Sequence, residues 1–218
     1  MPFSLTSHCQ GRILIKNVKN LYLDMKTQRT DLRNRLFFTV QDVAAAAGIT
    51  LSSAHVLCSR SVRRGAFMRI KKNFYVLERN WERFGNREFF QICNFLQVPS
   101  YVSCTTALEF YGITTQVQRG WFENITTRRT AKMEASGVVF LYHKVQPRHY
   151  FGFMKQDGFF IAGPEKALLD AAYLHSLGRY PLDWSSLSLD ALDKQKLITM
   201  MGPFPSQVKN RIGKECRI

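Results

Sequence analysis

The chain lacks paired cysteines. Its five, Cys9, Cys58, Cys93, Cys104 and Cys216, are an odd number, widely spaced, with no C-x-x-C motif. That pattern argues against both a disulfide framework and a zinc site. Cys58, Cys93 and Cys104 fall in helical patterns and are expected as small core residues. The histidines, His8, His55, His143, His149 and His175, show no metal-ligand spacing either. No apolar run approaches the roughly 20 residues that span a bilayer, and the N-terminus shows no signal-peptide pattern. A cytoplasmic location is therefore expected, and nothing in the sequence calls for a cofactor or a metal.

Negative charge is also scarce: 16 Asp and Glu stand against 31 Lys and Arg, a net charge of +15. The excess is uneven. Basic residues outnumber acidic ones by 16 to 6 over residues 1–88 and by 15 to 10 over residues 89–218. Between Asp42 and Glu78 there is no acidic residue, while Arg60, Arg63, Arg64, Arg69, Lys71 and Lys72 all lie inside that window. A surface of one sign attracts phosphate.

The same window has a recognisable grammar. Thr39 is a good N-cap, Asp42 sits in the first helical turn, and the alanine run stops at Gly48. Thr50 starts a second helix. Val43, Ala47, Ile49, Ala54 and Leu57 are spaced to pack two crossed helices together. With those inward, the second helix turns Ser52, Ser53, His55, Val56, Ser59, Arg60 and Arg63 outward. After Arg64 and Gly65 the pattern alternates through Phe67–Lys72, Asn73 supplies a turn, and Phe74–Val76 form the return strand. The reading is a winged helix-turn-helix, with Ser52, Ser53, His55, Ser59 and Arg60 near base edges and Arg63, Arg64, Arg69, Lys71 and Lys72 on phosphates. Ahead of it, Arg12–Leu36 places Leu14, Val18, Leu21, Met25 and Leu32 on one stripe, as a first helix closing over the other two.

Beyond the wing, Glu78–Asn86 reads as a passage between domains, and Arg87–Leu96 as a helix burying Phe89, Ile92, Cys93 and Leu96. A short helix is expected from Ser103 to Gly112. Strands are expected at Glu123–Arg129, Gly137–Lys144, Tyr150–Met154 and Phe159–Ala162, the last two joined by an Asp157-Gly158 turn. Pro164 and Glu165 then open a helix that Gly178 ends. The expected class is α+β: residues 1–80 a winged helix-turn-helix domain with an N-terminal helix, 81–98 a connecting helix, and 99–218 a domain of helices around a small antiparallel sheet.

Several pieces of the second half, Tyr101-Val102-Ser103, Ala107-Leu108, Tyr111-Gly112, Ile125-Thr126 and above all Ile161–Asp170 (IAGPEKALLD), resemble the C-terminal domain of AbiEi-type antitoxins. The wing resembles that family's G-x-x-x-R-x-x-x-G-x-Y-x-L pattern at Gly65, Arg69, Tyr75 and Leu77, with Asn73 where a glycine is usual. The resemblance implies a repressor of its own promoter and an antitoxin counteracting a nucleotidyltransferase toxin in a type IV system that aborts phage infection. Pro164, Glu165, Lys166 and Asp170 are then the antitoxin-domain motif. The expected partners are double-stranded DNA, bound by two copies on an inverted repeat, and functionally the toxin. No membrane partner is expected.

An enzyme is not expected. A metal-dependent nuclease would need clustered carboxylates, and Asp157, Glu165 and Lys166 span only a turn and a strand. The alternative is a winged-helix regulator unrelated to any toxin, its C-terminal domain binding a ligand or a protein.

Overall fold

The computed structural model describes residues 32–218. The expected stripe from Leu14 to Met25, together with His8 and Cys9, lies outside the described residues. The chain divides into two units, residues 1–83 and 84–218.

In the first unit, helix α1 (Val40–Ala47) and helix α2 (Leu51–Arg63) precede a hairpin of β1 (Phe67–Lys71) and β2 (Phe74–Leu77) and a short helix α3 (Glu78–Trp81). The chain bends by 107° between α1 and α2. Gly48 makes the bend possible, because its φ of 60° is left-handed. The core is Leu32, Phe38, Val40, Val43, Ala54, Cys58, Phe67, Tyr75 and Leu77. Ile49 and Leu57 are partly buried against it, and the α1 alanines packed there are Ala44 and Ala46. Phe38 and Tyr75 exchange backbone hydrogen bonds of 2.8 and 2.9 Å, which pins the lead into α1 onto β2.

The second unit is built on a six-stranded sheet. Its strands are β3 (Ser100–Val102), β4 (Trp121–Thr126), β5 (Ala131–Ala135), β6 (Val138–Lys144), β7 (Phe153–Gln156) and β8 (Phe159–Ala162), in the order β5-β6-β4-β3-β8-β7. The expected antiparallel sheet is instead mixed. β4 pairs parallel with β6, Trp121 opposite Val139, and β3 parallel with β8, while the other three pairings are antiparallel. The reason is the crossover that parallel neighbours require. β5 is an edge strand that carries the chain back before β6, so β6 returns in the direction of β4.

Helix α4 (Asn86–Leu96) packs on β3, β4 and β8, burying Phe89, Phe90, Ile92, Cys93 and Leu96. It belongs to this unit's core rather than acting as a separate connector. Helix α5 (Cys104–Phe110) packs against β4 and against helix α6 (Pro164–Ser176), and α6 also meets helices α7 (Lys194–Met200) and α8 (Ser206–Cys216). No single helix among the described residues is long and apolar enough to cross a membrane.

Candidate nucleic-acid interface

The start of α1 is firmly held. The Thr39 hydroxyl accepts the Asp42 N–H at 3.2 Å, and Asp42 accepts the Thr39 N–H at 2.8 Å, a reciprocal capping box. Arg35 forms an ion pair with the same carboxylate. Burial pushes the Asp42 carboxyl up, but the Thr39 hydroxyl and N–H and the Arg35 guanidinium more than offset it, leaving it below the usual carboxylate range. The box thus ties Asp42 to α1.

α2 begins at Thr50, whose hydroxyl accepts the Ser53 N–H at 3.3 Å. Burying Ala54 and Cys58 fixes its rotation, so Ser52, Ser53, His55, Val56, Ser59 and Arg63 are exposed and Arg60 is half-buried. The Ser52 and Ser53 hydroxyls each lie 3.0 Å from the Thr50 hydroxyl and are engaged in the cap. His55, Ser59 and Arg60 are the more available groups for a base edge. Val56, half-exposed on the same helix, offers an apolar group of the kind that meets a thymine methyl.

Gly65 turns the chain from α2 into the hairpin, where Arg69 and Lys72 are exposed. Lys71 is half-buried, its ammonium 5.8 Å from the Phe74 ring centroid, and burial holds it below the ordinary lysine value. Strict alternation was expected here. The pairing instead shifts between Arg69 and Lys71, and Phe67 and Met68 are both buried. None of Arg60, Arg63, Arg64, Arg69 and Lys72 makes an ion pair with a described residue.

Asn73 takes the left-handed conformation expected of it, φ 58°. Its side chain also does what a glycine could not: Oδ1 accepts the Val40 N–H at 2.8 Å and Nδ2 donates to Gln41 Oε1 at 2.9 Å. The hairpin turn is thereby stapled to the first turn of α1.

In the second unit, the structure gives three of the four motif residues on α6, Glu165, Lys166 and Asp170, internal partners. Pro164 occupies the first helical position. Glu165 is buried and accepts the Asp193 N–H at 3.1 Å, anchoring the loop before α7. Lys166 and Asp170, expected on one helix face, form an ion pair with both side chains wholly enclosed. Lys166 Nζ also donates to the Tyr101 hydroxyl at 3.0 Å, and its ammonium lies 5.0 to 5.6 Å from the ring centroids of Phe151, Tyr101 and Phe204. Asp170 accepts from the Tyr101 hydroxyl at 3.0 Å and from Ser103 Oγ at 2.8 Å. Burial pushes the Asp170 carboxyl up against the pull of Lys166 and these donors.

Sequence reasoning missed Tyr101 and Ser103 as partners of the pair. Tyr101 sits in a short strand that alternation does not mark and Ser103 at the N-cap of α5 just after it, and only the Tyr-Val-Ser piece of the family resemblance pointed to them. Asp157 and Glu165 have separate partners: Asp157 is exposed at the β7–β8 turn and pairs with Arg87 at 3.5 Å.

No protein-family model and no curated protein matches the chain. Among solved structures, the crystal structure of the RV2827C protein from Mycobacterium tuberculosis is similar, with a TM-score of 0.57 over 85% of this chain and 73% of that one. The two sequences are 12% identical, so the likeness is one of fold.

Proposed function

We propose that the first unit is a winged helix-turn-helix that binds double-stranded DNA, with α2 as the reading helix and the β1–β2 hairpin as the wing. The observation carrying this reading is that Arg60, Arg63, Arg64, Arg69 and Lys72, on α2, its turn and the hairpin, have no ion-pair partner among the described residues, in a stretch without a carboxylate. Arg60 reads guanine, because a guanidinium can donate to O6 and N7 together. Arg63, Arg64, Arg69, Lys71 and Lys72 contact phosphates. A single such module reads few base pairs, so two copies occupy an inverted repeat.

In the fuller proposal, resting on the AbiEi resemblance, the chain represses its own promoter and counteracts a nucleotidyltransferase toxin without itself being an enzyme. The enclosed Lys166–Asp170 pair, with Pro164 and Glu165, then builds the scaffold of the antitoxin domain rather than its contact surface. The experiment is footprinting on the DNA upstream of the chain's own reading frame. Protection of an inverted repeat that an Arg60→Ala, Arg63→Ala variant loses is the expected result, and protection indifferent to sequence or to the variant would overturn it. A second reading, a regulator unrelated to a toxin, is favoured by one observation: an open cleft in the second unit.

A further inference from the structure

That cleft has a volume of about 650 Å³, the size of a small-molecule site. At it lies Glu123, which is 3% exposed. Its carboxylate accepts the Thr105 N–H at 3.0 Å, the Tyr180 hydroxyl at 2.6 Å and, more loosely, the Trp121 indole N–H at 3.3 Å. The Tyr180 proton is committed to Glu123, so the Thr105 hydroxyl, 2.6 Å from the Tyr180 oxygen, must donate to it. All of these partners are neutral donors. The Thr106 N–H also pulls on the carboxylate, and Oε1, which takes the long indole bond, keeps a second lone pair to accept another donor.

His143, also lining the cleft, is 7% exposed, and its Nε2 is enclosed without a partner. Its ring stands edge-on to Tyr180 at 5.8 Å, and burial pushes its pKa down to about 4, so it is a neutral imidazole. Burial likewise pushes the Glu123 carboxyl up, against the pull of its donors. A buried carboxylate without a counter-charge is costly. Two other charged residues line the cleft, Arg179 and Asp183. They are opposite in sign and exposed, where solvent screens them. One further cation stands near, Lys132, 5.5 Å from the Trp121 ring centroid but paired with Glu134 at 3.6 Å. Glu123 therefore sets the preferred charge of an occupant, and Tyr180, His143 and the part of Trp121 that Lys132 leaves open give it aromatic walls, which favour a cation over an anion.

We infer that this cleft binds a small organic cation carrying N–H donors, a protonated amine or amidinium, with Glu123 as its counter-ion and Trp121 as its aromatic wall. Such a ligand supplies the missing charge, donates to Oε1, and fills a volume far larger than a metal ion needs. The site lies wholly within the second unit and stands independently of DNA binding.

Three probes of one shape and different charge test the inference on the full chain: benzamidine (cation), benzamide (neutral) and benzoate (anion), titrated calorimetrically. Benzamidine is expected to bind saturably and at least about tenfold more tightly than benzamide, with benzoate weaker still. Glu123→Gln is expected to erase the difference between benzamidine and benzamide. If that variant does not melt cooperatively, Trp121→Leu carries the same test, with benzamidine affinity falling about tenfold. Equal binding of benzamidine and benzamide, no saturable binding, or tighter binding of guanosine monophosphate than of benzamidine would each overturn the inference.

Discussion

Asn73 at the hairpin turn accepts the backbone N–H of Val40, 33 residues earlier, at 2.8 Å. It performs two tasks with one residue: left-handed turn backbone, and a side-chain acceptor for a donor that the first turn of α1 leaves open. Asn73→Gly keeps the first and loses the second, and is expected to cost about 1 kcal/mol. Asn73→Ala loses the cap and also strains the turn, adding about 1 to 2 kcal/mol. Urea denaturation of the three proteins orders them Asn, Gly, Ala. An Ala variant as stable as the Gly variant would contradict the turn assignment.

Lys166 and Asp170 are both wholly buried, so removing either leaves an uncompensated charge. Lys166→Met and Asp170→Asn are each expected to destabilise by about 3 to 5 kcal/mol. The double variant is expected to lose clearly less than the two single effects combined, because no orphaned ion remains. Chemical denaturation measures the cycle, and additivity would show that the pair is not coupled.

His149 is buried with both ring nitrogens unpartnered, packed on Tyr173 at 4.4 Å and Phe204 at 4.7 Å. His149→Phe keeps the packing and removes two unsatisfied atoms, so stability at pH 7 is expected to rise by about 1 kcal/mol. Burial, with Arg148 and Lys166 nearby, pushes its pKa from 6.5 down to about 4. The folded form therefore binds fewer protons than the unfolded chain in that window. The histidine's stability is fully present above pH 6.5 and is lost as pH falls towards 4, by up to ~3 kcal/mol. His143 behaves alike, and the raised carboxyls of Glu123 and Asp170 run the opposite way. All three are shared by both proteins, so the difference between parent and His149→Phe isolates His149. Melting curves from pH 7 to 4 should show a shallower loss in the variant.

The first unit was legible because its signals are local. Thr39, Gly48 and Thr50 mark their boundaries by backbone chemistry that depends on near neighbours, and the period-3.6 burial of Ala54 and Cys58 fixes which side of α2 is exposed. Asn73 showed its turn in the sequence but not its bond to Val40, a contact across 33 residues. The second unit was read less well for the same reason. Strands β3 and β5 were missed: Ser100–Val102 is buried throughout, without alternation, and β5 is a short edge strand rich in charge. Strands at Trp121–Thr126 and Phe153–Gln156 were expected two to three residues away. Parallel or antiparallel pairing depends on connections that periodicity does not encode. Glu123, His143 and Tyr180 meet only because β4 and β6 are parallel neighbours and Tyr180 comes from the loop after α6.

The measurement that bears most directly on the account is the salt dependence of binding to a duplex carrying the operator, beside one of scrambled sequence. With about five phosphates neutralised per protomer, log affinity should fall against log salt with a slope of about −4 to −5 per protomer. Arg63→Ala should reduce that slope by about one, and Arg60→Ala should narrow the gap between the two duplexes. A slope near zero, or a slope unchanged by Arg63→Ala together with equal binding to both duplexes, would contradict a DNA-reading first unit.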